Sequence, residues 1–239
     1  MAKILIACEE SGSVRDEFTK LGHDATSCDL MPSRTIGKHY QGSIFDIIND
    51  DWDVMIAFPP CTHLAVSGAA WFEQKRKDGR QQECIDFFMA MVNAPIKHIA
   101  IENPIGIMSK IYRKPDQVIQ PYYFGDEAQK STCLWLKNLP RLYHCKEPNL
   151  FDSNVTHVSK GEMFEWVDGK TGKLKRQPKW VADAWKLDKD ERAKVRSKTF
   201  PGIAHAMAIQ WGSYLNGLEQ AEQGREKKLK RYYENRYNK

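Results

Sequence analysis

Short apolar runs alternate with longer amphipathic stretches through the first half of the chain. Short runs rich in β-branched and other apolar side chains are typical of buried strands, and apolar residues spaced by three or four positions are typical of helices. Strand-like runs occupy residues 3–8, 24–29, 52–57 and 97–102. Helical patterns occupy residues 14–21 and 81–92. The alternation predicts an α/β fold with a Rossmann-like parallel sheet and helices on both of its faces.

Two further elements lie in the second half of the chain. Residues 132–136 form another short apolar run, and residues 203–215 show a helical pattern that follows Pro201-Gly202. A proline at the start of a helical pattern is a common signal for the beginning of a helix. We expect these two elements to complete the sheet and the layer that covers it.

The region between these two elements differs in composition: it is rich in charged residues and in tryptophan. Within it, 163–167 and 173–177 flank the glycine-containing segment 168–172, which predicts a β-hairpin. We interpret the region as an insertion that meets a partner. The predicted domain organisation is a core at 1–139, a small insertion at 140–198, a core-completing helix at 199–218 and a basic tail at 219–239.

Composition predicts one hydrophobic core in a soluble, cytoplasmic protein. A chain of 239 residues with 41% hydrophobic composition can bury such a core together with a modest insertion. The six cysteines contain no Cys-x-x-Cys pair, which favours reduced thiols over a disulfide framework. We expect no leader peptide and no membrane span, since no stretch has the required apolar pattern.

Positive charge is concentrated in two places. The formal net charge is +5, and residues 170–179 hold five basic side chains and no acidic one. The tail from Arg225 mixes lysines and arginines with tyrosines. Basic residues interleaved with aromatic ones suit phosphate and base contacts, so a nucleic-acid partner is predicted. A solvated helix face and a frayed chain end are the alternative interpretation.

The residues with the strongest chemical signal follow two predicted strands. Phe58-Pro59-Pro60-Cys61 closes the apolar run 54–57, and Glu102-Asn103-Pro104 closes the run 99–101. In open α/β sheets the ligand crevice lies beyond the carboxyl ends of the strands. A thiol and a carboxylate at two such ends can therefore share one pocket as a nucleophile and an acid.

The ends of the first two predicted strands carry residue types found in nucleoside-binding sites. Cys8-Glu9-Glu10-Ser11-Gly12-Ser13 forms a strand-to-helix turn, and Asp29 ends the second strand, where a carboxylate can bind a ribose diol. The single glycine is not a dinucleotide fingerprint, and the two glutamates would repel a pyrophosphate. This favours a nucleoside ligand without phosphates, such as S-adenosylmethionine (SAM). A tight turn capped by Ser11 is the alternative.

Taken together, these motifs resemble those of the DNA cytosine 5-methyltransferases, and compact phage-type members most closely. The similarity covers most of residues 3–136 and 199–215, and the Pro-Cys and Glu-Asn pairs are its most specific parts. The matching segments, in order, are 7–12, Asp29, 42–44, 58–61 with 67–68, 102–104, 129–136 and 202–215. The resemblance makes residues 140–198 the target-recognition region of a SAM-dependent methyltransferase.

The resemblance implies a catalytic role for two residues, with SAM as cofactor and DNA as partner. Cys61 would add to C6 of cytosine, and Glu102 would assist at N3 while C5 takes up the methyl group. The target base would be swung out of the duplex, beneath a loop that contains Ser67. Predicted cofactor contacts are Cys8, Glu9, Glu10, Ser11, Gly12, Asp29, Ser43 and Pro59. Predicted DNA contacts are Pro60, Ser67, Arg76, Arg80, Asn103, Lys130, Lys173, Lys175 and Arg176.

Several positions depart from the family pattern. Glu9 and Ser11 stand where glycines are usual, and Ser43 stands where many members have an aspartate that binds adenine. Backbone atoms or Asp46 would then contact the adenine. The paired arginines beside the flipped base are absent, and Lys130 is the nearest cation that could replace them. The insertion is also short for a recognition domain.

Other interpretations of the chain remain open. An enzyme acting on a free deoxycytidine nucleotide fits the short insertion, and a silent base-flipping or DNA-binding module fits the altered turn. A thiol hydrolase using Cys61 and His63 is a third alternative. His63 as a zinc ligand lacks a second ligand pair, so no metal is expected. The remaining cysteines near strands are interpreted as small buried side chains; they are Cys8, Cys28, Cys84 and Cys133.

Overall fold

The structure is a computed structural model that describes residues 1–144 and 157–237, without the side chains of residues 222, 226 and 228–237. The strands are β1 (Lys3–Ala7), β2 (Asp24–Asp29), β3 (His39–Gln41), β4 (Val54–Ala57), β5 (His98–Pro104), β6 (Gln117–Ile119), β7 (Thr132–Lys137), β8 (Met163–Val167) and β9 (Leu174–Pro178). The α-helices are α1 (Ser13–Lys20), α2 (Phe72–Lys77), α3 (Arg80–Val92), α4 (Met108–Ile111), α5 (Lys179–Ala184), α6 (Lys189–Ser197) and α7 (Pro201–Tyr237).

Seven strands form one mostly parallel sheet in the order β3-β2-β1-β4-β5-β7-β6. Strands β3, β2, β1, β4 and β5 are mutually parallel, and β7 is antiparallel to both β5 and β6. The strand order reverses direction between β1 and β4. In doubly wound sheets this switch point opens a crevice beyond the carboxyl ends of the strands. The predicted α/β class with a Rossmann-like sheet is confirmed.

Each face of the sheet is buried against helices. Alternate residues of β1 point to opposite faces, so Ile4 and Ile6 join one apolar cluster while Leu5 joins the other. On the first face the sheet packs against α1 and α7, through Phe18 and Trp211 among others. On the second face it packs against α3 and the segments that flank it. Burial on both faces explains why these strands are short continuous apolar runs.

The central strands and the hairpin were predicted correctly, and several peripheral elements were not. Strands β1, β2, β4, β5 and β7 match the apolar runs, and β8 pairs with β9 in the predicted antiparallel hairpin. Strands β3 and β6 have three residues each at the two edges of the sheet and were missed. Helix α7 begins two residues before the predicted segment and continues to Tyr237. In the described part of the chain, no helix is both long and apolar enough to span a membrane.

Helix α7 can lie on the sheet only because its second residue lacks a side chain. A Cβ on Gly202 would overlap the Phe124 carbonyl oxygen and lie 2.8 Å from Oδ2 of Asp126, which accepts a hydrogen bond from the Gly202 N–H. Backbone and carboxylate therefore occupy the space that a larger residue needs. The start of α7 is fixed against the segment that precedes β7.

Gly202→Ala is expected to destabilise the fold by about 1–3 kcal/mol, because the helix must move away from Phe124. The matched control is Gly217→Ala in the same helix, where nothing lies within 4 Å of the new Cβ. The control is expected to be neutral or to stabilise by up to about 1 kcal/mol. Urea unfolding midpoints with unchanged slope measure both effects. Equal losses for the two variants would contradict the close contact at Gly202.

Candidate active site

Cys61 begins a tight turn four residues after the end of β4. Its carbonyl oxygen accepts hydrogen bonds from the N–H groups of Leu64 at 3.0 Å and Ala65 at 2.9 Å. The preceding Pro59 is buried, and its carbonyl oxygen accepts a 2.8 Å hydrogen bond from the side-chain amide of Asn103. The loop that leaves β4 is therefore joined directly to the end of β5, and Cys61 is partly buried.

Cys61 and Glu102 lie in one site together with Lys130. Burial raises the pKa of the Cys61 thiol, and the Glu102 carboxylate raises it further, while Lys130 and Arg196 lower it. Burial also raises the pKa of Glu102, against the opposing effects of the Lys130 ammonium and the Thr132 hydroxyl. The Glu102 carboxylate thus acts on the Cys61 thiol, and Lys130 acts on both groups. The structure brings together the two side chains that the sequence singled out.

Asn103 joins the end of β5 to the loop after β4. It is only 1% exposed, and its side-chain amide donates the hydrogen bond to the Pro59 carbonyl. Its contact with DNA stays a prediction. Pro60, the next residue along the other loop, is exposed.

The segment after Cys61 is held by contacts on both sides. The Lys75 ammonium donates to the Thr62 carbonyl at 2.8 Å, and the Val66 N–H donates to the Ile105 carbonyl at 3.0 Å. Ser67 is exposed on a short 3-10 helix, Val66–Trp71. In this conformation the predicted loop is packed against the turn that follows β5.

The two predicted DNA-binding arginines near this loop differ in their ion pairing. Arg80 is paired with Asp78, with Nε at 2.9 Å from the carboxylate, whereas the exposed Arg76 has no ion-pair partner among the described residues.

Burial lowers the pKa of His63, which favours the neutral ring. The environment of Cys61 is set by Glu102, Lys130 and Arg196, and His63 is not among the charged groups that act on it. A Cys61–His63 nucleophile pair is therefore not supported.

The turn after β1 is stabilised from within by Glu9. This side chain is only 4% exposed, and its carboxylate accepts hydrogen bonds from the N–H groups of Val14 at 2.7 Å and Arg15 at 3.3 Å and from the Ser11 hydroxyl at 3.2 Å. Burial raises the pKa of Glu9 despite these donors. Because the carboxylate already occupies the start of α1, that helix end does not offer a place for a ligand phosphate.

Gly12 is required by protein packing in this turn. Its φ of +73° favours glycine, and a Cβ there would overlap the Thr35 hydroxyl and lie 2.6 Å from the Arg15 guanidinium. Arg15 is fully buried and donates to the hydroxyls of Ser27 and Ser33 at 3.0 Å each. The absent side chain leaves room for the guanidinium that holds the segment after β2, and the cofactor contact of Gly12 stays a prediction.

Asp29 ends β2 with one carboxylate oxygen engaged. Its Oδ1 accepts a 2.9 Å hydrogen bond from the Met31 N–H, and its charge, after burial, raises the pKa of Cys8 to about 12. Ser43 caps the turn Ile44–Asp46 by accepting from the Phe45 N–H at 3.3 Å. Asp46 is exposed and accepts a hydrogen bond from the Tyr40 hydroxyl.

A cleft connects the turn after β1 with the insertion. Four predicted cofactor residues, Cys8, Glu9, Glu10 and Ser11, line it from the sheet side. Gly12, Asp29, Ser43 and Pro59 are not part of its lining. Sequence reasoning missed the remaining wall, which consists of Arg34, Phe58, Lys194, Ser197, Lys198 and Thr199. Since α6 has no apolar periodicity, only its tertiary position shows that its end belongs to the site.

Two of the three predicted DNA-binding cations of the hairpin are paired. Lys175 forms an ion pair with Asp168, and Arg176 forms one with Glu165 at 2.8 Å. Lys173 is exposed and makes no ion pair within the described residues. On the hairpin, the rings of Phe164 and Trp166 stack with centroids 5.8 Å apart.

The remaining thiols fit the interpretation of buried or partly buried side chains. Cys28 and Cys133 are buried, and burial raises the pKa of each to about 11, while Cys84 is partly buried. Cys8 has the same character, and Cys145 lies outside the described residues. Among the residues that the structure describes, no cluster of histidine, cysteine and acidic side chains could hold a metal ion.

Comparison with known proteins gives little similarity in sequence. No protein-family model matches the chain, and no curated protein matches it. Among solved structures, an E. coli prophage protein described as a "putative DNA modification methyltransferase" aligns with a TM-score of 0.38 at 16% identity. The alignment covers 56% of this chain and 45% of the prophage protein, so the chain matches under half of that protein's length. A similarity this low does not identify an activity, which has to be inferred from the residues of the site.

Glu9→Ala is expected to destabilise the protein by about 1–3 kcal/mol, because two buried N–H groups lose their acceptor. The neighbouring Glu10→Ala is the control, since Glu10 only forms a partly exposed ion pair with Arg34, which contributes about 0–1 kcal/mol. Thermal unfolding of both variants measures the difference. Equal stability of the two variants would show that Glu9 does not cap α1.

Proposed function

We propose that the chain is a SAM-dependent methyltransferase that methylates cytosine at C5 in DNA. The observation that carries this proposal is the shared site of Cys61 and Glu102 at the carboxyl ends of β4 and β5, within electrostatic reach of each other. A thiol nucleophile beside a carboxyl whose pKa is raised is the pair that an attack on a pyrimidine ring requires.

The two residues have complementary tasks. Cytosine C5 is a weak nucleophile, and addition of the Cys61 thiolate to C6 makes C5 electron-rich. Glu102 donates a proton or hydrogen bond to N3 and so stabilises the negative charge that develops in the ring. Because burial raises the pKa of Glu102, its protonated form persists to higher pH than for an exposed glutamate. Once C5 has taken the methyl group that SAM would supply from its sulfonium, a base removes the C5 proton, the C–S bond to Cys61 breaks and the thiolate leaves.

The turn after β1 and the end of β2 suit a nucleoside that carries no phosphates. Glu9 blocks the helix end that a pyrophosphate would use, whereas Glu10 and the Ser11 hydroxyl line the open side. Oδ2 of Asp29, next to the oxygen that Met31 uses, suits a ribose diol. When bound here, SAM supplies the methyl group from its sulfonium. The residues present therefore fit SAM better than a dinucleotide.

DNA is proposed as the substrate because exposed cations and aromatic rings lie on the hairpin and near the Cys61 loop. Lys170 and Lys173 extend from the hairpin without ion pairs among the described residues, and the stacked Phe164 and Trp166 offer a surface for bases. Arg76 is a further exposed cation beyond the Cys61 loop. The target base must leave the duplex to reach a partly buried sulfur.

A free deoxycytidine nucleotide is the second candidate substrate. It is favoured by one observation: three basic residues of the hairpin region are already neutralised by acidic partners, namely Lys175, Arg176 and Lys179. A surface with few unpaired cations holds a long polyanion weakly.

The five described cysteines are free, which supports placing the enzyme in a reducing compartment such as the cytoplasm.

A DNA duplex with 5-fluorocytosine at cytosine positions is expected to trap the protein covalently in the presence of SAM. After methyl transfer, the fluorine leaves no proton at C5 to remove, so the bond from Cys61 to C6 persists. Denaturing electrophoresis detects the adduct, and peptide mapping locates it. The thiol control is Cys84→Ser, which retains trapping, while Cys61→Ser abolishes it.

Two outcomes would count against the proposal. Methyl transfer to DNA that survives Cys61→Ser would exclude the covalent mechanism and point to methylation of a base amino group. Transfer of labelled methyl only to a free deoxycytidine nucleotide, with DNA unreactive, would favour the second substrate. Glu102→Gln retains the size of the side chain but not its acid, and a rate loss of at least about 100-fold is expected.

Replacing both Lys170 and Lys173 by alanine is expected to weaken DNA binding and to lower the salt dependence of the binding constant by about one to two counterions. Lys20→Ala is the control, because Lys20 is an exposed lysine at the end of α1 whose charge is already paired with Glu17. Binding isotherms at several salt concentrations measure the slope. An unchanged slope would remove the hairpin from the DNA-binding surface.

A further inference from the structure

The turn that begins at Cys61 is closed from within by a single carbonyl group. That carbonyl, on Cys61 itself, accepts from the N–H groups of Leu64 and Ala65 at 3.0 and 2.9 Å. The next two residues, Thr62 and His63, direct their carbonyls to donors outside the turn. Leu64 is fully buried, and carbonyl groups so close to a core are nearly always paired. The donors to these two carbonyls therefore fix the turn that carries the sulfur.

These donors are two buried polar side chains from two different helices. The Lys75 ammonium, on α2, donates to the Thr62 carbonyl at 2.8 Å. The Gln81 side-chain amide, in the first turn of α3, donates to the His63 carbonyl at 3.1 Å. Only 8% of Lys75 and 5% of Gln81 is exposed. Helices α2 and α3 thus hold the two residues that directly follow Cys61.

Lys75 is a costly residue to bury at this position. Among the residues that the structure describes, it forms no ion pair, and its ammonium lies 5.8 Å from the centroid of the Phe72 ring. A Cβ on Gly68 would lie 3.0 Å from Nζ, so the ammonium occupies the space that this glycine leaves open. A buried charge without a partner of opposite sign lowers stability, and a methionine would fill the same space without that cost. The charge therefore serves the contact with the loop and not the stability of the fold.

We propose that Lys75 and Gln81 are positioning residues for the Cys61 nucleophile: by holding the carbonyls of the two residues that follow it, they fix its turn before a substrate binds. This inference deepens the proposed function and rests on it for the role of Cys61. Reacting atoms must meet at about 3–3.5 Å, so a displacement of about 1 Å in this turn lowers the rate even when the fold is intact.

Alkylation of the full-length protein by iodoacetamide tests the inference without SAM or DNA. The thiolate displaces iodide and forms a C–S bond, and peptide mass spectrometry follows each cysteine separately. Lys75→Met retains the length of the side chain and removes the ammonium, and Gln81→Met removes the amide. Each change is expected to speed alkylation of the partly buried Cys61 by about two- to tenfold, because the released turn exposes the thiol. Cys28 and Cys133 are buried and are expected to keep their wild-type rates.

Lys77→Met is the matched control, two residues further along the same helix. Lys77 is exposed and is paired with Glu73 at 2.8 Å, so its replacement is expected to leave the Cys61 rate unchanged. In a methylation assay, Lys75→Met is expected to lower kcat by about tenfold while KM for SAM stays near the wild-type value.

Two results would overturn the inference. One is an unchanged Cys61 rate in both Lys75→Met and Gln81→Met. The other is an equal rise at Cys28 and Cys133, which would show that these side chains support the whole fold and not the turn. Because alkylation requires no methyl transfer, a faster rate at Cys61 alone, in a protein that fails to methylate DNA, would retain the positioning role and reject only the proposed reaction.

Discussion

The hydrogen bond from the Asn103 side chain to the Pro59 carbonyl is the interaction on which the site depends. It is 2.8 Å long and lies where water has little access. Parallel strands β4 and β5 bring their carboxyl ends side by side, and this contact joins the loop that leads to Cys61 to the strand residue that follows Glu102. A buried amide without this acceptor would cost about 1–3 kcal/mol, so the contact holds the loop after β4 against the end of β5.

Electrostatics in the site follow mainly from burial. Burial raises the pKa of both the Cys61 thiol and the Glu102 carboxyl, and the Glu102 carboxylate raises the pKa of the thiol further. Lys130, on the segment before β7, opposes the effect on both groups. The environment of Cys61 is therefore set by residues from different parts of the sheet.

Much of the sheet could be predicted because its central strands are buried on both faces, and β4, with its sequence Val-Met-Ile-Ala, has no other reasonable interpretation. Cys61 and Glu102 could be singled out because each follows a short apolar run, although β5 extends past Glu102 to Pro104. The wall formed by α6 could not be predicted, since that helix buries no residue. The capping of α1 by Glu9 could not be predicted either, because the pattern of the turn does not reveal which N–H groups its carboxylate reaches.

The buried Arg15 has a consequence for how this chain can vary. Its guanidinium fills the space where side chains on Gly12 and Gly37 would stand, with Cζ 2.7 Å from a Cβ built on Gly37. A shorter residue at position 15 would open a void and at the same time make room for alanine at position 37. Substitutions at these two positions are thus mutually dependent. In a homologue without the arginine, the glycine at position 37 can be replaced by a residue with a side chain.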